Sequence, residues 1–246
     1  YHYTKLPNVV SIIKNRFWWL KSPKTMNDGL EFQNISEFQQ SKSVFFASFM
    51  YDSSESIAMW SMYAQPWEDG VFVRIPVAIF KKWIRNTKTI YTVLCPKNQK
   101  PIIEKSLISY KNLSVVRVAY TNSDSIQDKS DEILICGKAE NNLLKNSPHL
   151  PDLVGYIKDM AWEYEHEVRV LAAVDKSIEC DGLAIELSDD LIDSMEIVAG
   201  PRFSGNLSER IRQEVHRQFT TNRSLFSDKL NWIPCDSCPE KSKCDN

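Results

Sequence analysis

Glycine is scarce in this chain, seven residues in 246. No glycine-rich phosphate loop of the Rossmann or Walker type occurs, which argues against a standard dehydrogenase or a P-loop ATPase. No run of 18 apolar residues is present, so no segment reads as a bilayer-spanning helix. The first residues carry no cationic-then-apolar leader, and the sequence opens at Tyr1 rather than methionine, so residues missing before it are an expectation. An excess of one charge is also lacking: 30 Lys and Arg face 32 Asp and Glu, a net charge of −2. No global basic field therefore advertises nucleic acid or a membrane surface. The local basic runs, Lys81-Lys82 with Arg85 and then Arg210, Arg212, Arg217 and Arg223, read as solvated helix faces. Histidine is rare as well, and no His-x-x-x-His spacing or paired acid cluster suggests a catalytic metal.

An apolar fraction of 43% with seven Trp is enough for a substantial core, and the length suits one domain with a small appendage. The hydrophobic pattern predicts strands over 1–6, 17–20, 44–49, 70–75, 115–120, 165–173, 183–187 and 195–199. It predicts helices opening at Pro7-Asn8, after Ser53 or Ser54, over 77–85, 132–144 and 153–162, and over 207–219. Residues 22–29 read as turn chemistry and 121–129 as a polar loop. Strands and helices do not alternate regularly, which is an α+β pattern: a single domain over 1–226 and a Cys-rich tail over 227–246. Scattered Cys95, Cys136 and Cys180, with no secretory signal, fit a reducing cytoplasm. The tail trio Cys235, Cys238 and Cys244 has a spacing that suits a structural Zn²⁺, although three thiolates are one short of a closed site; reduced, unliganded thiols are the competing expectation.

The most informative stretch runs from Trp162 to Leu171. Read as a strand from Glu165, it puts Glu165, Glu167 and Arg169 on one face and His166, Val168 and Val170 on the other. Two carboxylates so close repel unless a cation holds them, and such a trio suits a ligand with hydroxyls or developing positive charge. A solvated sheet edge with a structural ion pair accounts for it equally well.

Several segments together resemble the DUF2971 family. They are Tyr1-His2-Tyr3-Thr4 with the helix after it, the run from Phe17 to Pro23, Met26-Asn27-Asp28, the run from Met59 to Ala64 followed by Gly70-Val71, Lys158 with the run from Trp162 to Arg169, and the run from Ile197 to Arg202. The likeness departs at Gly29 and Glu31, where the family has Pro and an earlier Glu. A second set is similar to the ADP-ribosyltransferase superfamily: the His2 opening, Phe45-Phe46-Ala47-Ser48, the helix with Tyr63-Ala64, and Glu165-His166-Glu167. Tyr3 stands where that superfamily has Gly, and the insertion between residue 76 and Glu165 is long.

The second resemblance implies an ADP-ribosyltransferase-like core of split, mixed or antiparallel sheets with flanking helices. It also implies NAD as a substrate and cleavage of the nicotinamide–ribose bond through an oxocarbenium-like sugar. Glu167 would then shield the growing cation through the ribose 2′-hydroxyl, and Glu165 would orient an acceptor or water. Tyr63 or Trp60 would stack on nicotinamide, His2 with its neighbour Tyr3 would hold the far ribose, and Arg169 would hold the pyrophosphate or keep Glu165 ionised. On this reading the protein is a transferase or NAD glycohydrolase, a bacterial toxin or defence effector with a protein or nucleic-acid acceptor. The alternative is a non-catalytic ligand-sensing or protein-interaction module on the same scaffold.

Overall fold

The computed structural model describes residues 1–22, 42–52, 54–95, 102–108, 112–121, 134–139, 157–175, 180–227 and 229. In chain order the described elements are β1 (His2–Lys5), α1 (Leu6–Asn15), β2 (Phe17–Lys21), β3 (Lys42–Met50), α2 (Ile57–Tyr63), a 3-10 turn (Trp67–Asp69), β4 (Gly70–Arg74), α3 (Val77–Asn86), β5 (Ile90–Leu94), β6 (Ile102–Ile108), β7 (Asn112–Arg117), β8 (Ala119–Thr121), β9 (Leu134–Ala139), β10 (Ile157–Asp159), a 3-10 segment (Met160–Glu165), β11 (Glu167–Asp175), β12 (Gly182–Glu186), α4 (Asp189–Asp193), β13 (Glu196–Ala199), α5 (Leu207–Val215) and β14 (Thr220–Arg223). The class is α+β, with two main sheets.

The large sheet is antiparallel throughout and runs β6-β5-β12-β2-β3-β11-β7-β9. Its two halves join thinly, since β2 meets β3 at the single pair Lys21 and Phe46. The small sheet runs β1-β4-β13-β14, and β8 pairs with β10 apart from both. Near the sheet junction, Met50 N–H donates to the Tyr1 carbonyl at 2.7 Å, so the end of β3 touches the start of β1.

Period-2 patterning decides the layers. On β11 the residues Val168, Val170, Ala172 and Val174 face the main core together with Phe45, Ala47 and Phe49 of β3 and Leu113 and Val115 of β7. The opposite face carries Glu167, Arg169 and Leu171, across from Met50, Ser48 and Phe46. A second, smaller core gathers Tyr3, Met50, Met59, Trp60, Ala64, Phe72 and Val198 under α2. There the backbone of β4 meets the end of β13: Gly200 N–H donates to the Gly70 carbonyl at 2.8 Å. A Cβ on Gly200 would come within 2.9 Å of that oxygen and of the Trp60 ring, so glycine is required by contact rather than by backbone conformation.

Three sequence expectations change. Residues 132–144 were expected to be helical, but Leu134–Ala139 form the edge strand β9 beside β7. The short apolar run Ile133 to Cys136 fits either period, and pairing with β7 decides it. The expected helix over 153–162 is, in its described part, strand β10 followed by the 3-10 turns. Asp159 caps those turns, its Oδ1 accepting from Ala161 N–H at 2.8 Å. Finally, β11 starts at Glu167 and not at Glu165: Glu165 closes the 3-10 segment, and His166 takes a left-handed conformation at φ 41°. The expected turn at 22–29 beyond Ser22, the loop from 122 to 129 and the whole cysteine trio Cys235, Cys238 and Cys244 lie outside the described residues.

Candidate functional site

The left-handed step at His166 folds the chain so that Glu165 and Glu167 still end on the same side, brought there by a turn rather than by strand alternation. Lys158 on β10 reaches both: its Nζ donates to Glu165 Oε2 at 2.5 Å and to Glu167 Oε2 at 3.4 Å. Arg169, two residues along β11, forks onto Glu167, with Nε to Oε1 at 2.7 Å and Nη2 to Oε2 at 2.9 Å. The second oxygen of Glu165 accepts from the Tyr63 hydroxyl at the end of α2. Tyr120 accepts the backbone N–H of Glu167 at 2.8 Å. Aromatic faces back both cations: the Arg169 guanidinium lies 4.3 Å from the Phe46 ring centre and Lys158 Nζ 4.5 Å from that of Trp162. Two acids and two bases thus form a neutral quartet, and Arg169 is fully buried.

Electrostatics follow the contacts. Burial pushes the Glu167 carboxyl up, but the Arg169 charge and hydrogen bonds and the Lys158 ammonium outweigh it, so the group sits below the usual carboxylate range. The Ser48 hydroxyl lies near enough to assist, yet it completes no hydrogen bond of normal geometry. Tyr63 and Tyr120 are pushed up, first by burial; the Glu165 carboxylate adds to the effect at Tyr63 and the Glu167 carboxylate at Tyr120. Both phenols stay protonated. Every carboxylate oxygen of the pair already has a strong donor, so an incoming hydroxyl or sugar cation must displace one. At rest the arrangement serves as a structural lock that ties β10, β11 and α2 together.

Of the residues singled out from sequence, the structure brings together Glu165, Glu167, Arg169 and Tyr63. Lys158, which the DUF2971 resemblance includes, joins them. His2 does not. Its ring sits on the other face of β3, edge-on to Trp18 at 5.0 Å and tilted against Phe49 at 5.4 Å, with Nδ1 2.9 Å from the Ser48 carbonyl. Burial holds His2 down to about 4, so the ring is neutral at pH 7. Trp60 is fully buried, T-shaped to Tyr3 at 4.9 Å and bonded through Nε1 to Glu55. Tyr3 is buried beside it, its hydroxyl accepting Ser56 N–H at 3.0 Å. Trp60 and Tyr3 therefore fill space with each other rather than facing an opening. Tyr120 had no sequence signal, since an aromatic residue on a strand reads as ordinary core, and Phe46 entered only as part of a strand resemblance, with no site role given to it.

A cleft of about 680 Å³ opens on the other side of β11. Phe49, Val73, Phe80, Val115 and Val168 are its buried floor, and Tyr51, Asp52, Arg74, Pro76 and Val77 its exposed rim. Tyr1, Ile75 and Lys81 also line it. Period 2 turns Val168 into the cleft and sends Glu167 and Arg169 to the opposite face.

Architecture and site together define an α+β protein with two sheets, a buried ion-pair quartet on one face of β11 and an apolar cleft on the other. Residues 59–170, just under half of the chain, match the sequence model of a family described as "Protein of unknown function (DUF2971)", which supports that family for this protein. The matched span runs from α2 into β11 and includes Tyr63, Lys158, Glu165, Glu167 and Arg169. No curated protein and no solved structure matches the chain.

Proposed function

We propose that this protein is a ligand-binding module whose site is the cleft between the sheets. One observation carries the reading: the cleft has a buried apolar floor and a rim that carries Asp52 and Arg74, while both glutamates point away from it and are neutralised by Lys158 and Arg169. Its volume lies within the ~300–1,000 Å³ usual for small-molecule sites. A floor of valine and phenylalanine favours an apolar ligand body through the area it removes from water. The test is a titration with phenylnaphthylamine, a neutral apolar fluorophore, followed through the methyl resonances of labelled valines. Saturable shifts at Val73, Val115 and Val168, with Val198 of the second core unmoved, are expected. Shifts that never saturate, or that involve both cores alike, refute the proposal.

A second reading keeps the nucleotide chemistry, and the gathering of Tyr63, Glu165, Glu167 and Arg169 favours it. Here Glu167 supports a ribosyl cation from NAD and Glu165 orients the acceptor or water, after the quartet opens. Nicotinamide release by the unmodified protein, lost in Glu167→Gln, is the expected outcome. Release that survives the substitution removes Glu167 from the reaction.

A further inference from the structure

We infer that the cleft takes an organic anion: a flat or chain-like apolar body with a single acidic head, the head held at the rim by Arg74 and Lys81. The inference rests on the ligand-binding reading and adds the chemical class. The floor sets the body. Phe49, Phe80 and Val168 offer no polar atom of their own side chains, so a buried charge or hydroxyl there would go unpaired.

The rim sets the head. Arg74, on the last residue of β4, lies over the Tyr1 ring at 5.2 Å and gives one nitrogen to Glu196 at 2.9 Å. A guanidinium has five N–H donors in a planar fork, so this ion pair leaves others to meet a carboxylate, sulfonate or phosphate. Lys81, one turn into α3, stands on the wall. Beyond the lining, Arg117 lies over the ring of the rim residue Tyr51 at 5.0 Å. Among the described residues the charged side chains that line the cleft are two cations, Arg74 and Lys81, and one anion, Asp52, with Glu196 paired to Arg74. The cations are exposed or half-buried, which lets an anionic head keep part of its hydration while the body is buried.

The test compares two fluorophores of nearly the same shape: phenylnaphthylamine, which is neutral, and anilinonaphthalene sulfonate, which adds an anion. Both are titrated into the wild type and into Arg74→Gln with Lys81→Gln, and circular dichroism is used to check the variant's fold. The sulfonate should lose about tenfold in affinity in the double variant, the scale of one charge-assisted contact. The neutral probe should be unchanged. The sulfonate's affinity for the wild type should also fall with added salt. Equal losses for both probes, or no loss for the sulfonate, overturn the anion assignment while leaving the cleft as a site. Failure of the neutral probe to bind the wild type overturns the parent reading as well.

Discussion

Replacing Lys158 with methionine keeps most of the side-chain volume but removes one cation from a buried quartet. Lys158, Glu165 and Glu167 each expose only a few per cent of the side chain, so solvent cannot substitute for the lost ammonium. Arg169 can still hold Glu167 through its fork, but among the described residues Glu165 keeps only the Tyr63 hydroxyl. Removing one partner of a buried pair costs about 3–5 kcal/mol, because a charge is left uncompensated. Urea denaturation should show that loss at pH 7 as a lower midpoint with an unchanged slope. The sign of the pH dependence is a sharper check. The Lys158 ammonium helps to hold the Glu167 carboxyl low, so the folded variant holds that proton more tightly than the folded wild type does, and the deficit should grow from pH 4 to pH 7 and shrink as acid supplies the proton. Adding Glu165→Gln to Lys158→Met should recover part of the loss, because the unpaired charge is gone. A single-variant deficit below about 1 kcal/mol, flat with pH, would mean that the quartet is not a closed low-dielectric network.

Gly200→Ala drives a Cβ against the Gly70 carbonyl and the Trp60 ring; a loss of about 1–3 kcal/mol is expected, seen as a fall in Tm of about 2–4 °C per kcal/mol. His2 has a folded value of about 4, below its unfolded value near 6.5. Its contribution is complete above the unfolded value and is lost as pH falls toward 4, because the unfolded chain takes up the proton first; roughly 3 kcal/mol should vanish across that window, and His2→Phe should flatten it. Glu167 also lies below its ordinary value, so its contribution is present above the usual carboxylate range and is lost as pH falls through the folded value. Glu167→Gln should therefore weaken the acid dependence below about pH 4.5 relative to wild type, measured by urea midpoints across pH.

The strands at 17–20, 44–49, 183–187 and 195–199 were legible because each pairs an apolar or β-branched run with a clear boundary. The helices at 77–85 and 207 onward were legible from their one-sided apolar stripe. Residues 132–144 misled because a four-residue apolar run has no period of its own. The Glu165–Glu167–Arg169 grouping was found for the wrong local reason: a turn at His166 brings the acids together where a continuous strand was expected. Tyr63 was legible as a partner of that group only through resemblance, since one turn of helix looks the same whether it meets a ligand or a glutamate.

By itself the chain determined that a mixed α+β domain would form, that Glu165, Glu167 and Arg169 would stand apart from the apolar pattern, and that no described helix would be long and apolar enough to cross a membrane. These are properties of composition and local period. Only tertiary packing decided that Lys158 and Tyr63 saturate the two carboxylates, that His2 and Glu167 lie on opposite faces of the same sheet, and that Val168 opens onto a cleft. Such contacts join residues up to a hundred or more positions apart, and the register that aligns them is set by which strands pair, a quantity no short window of sequence contains.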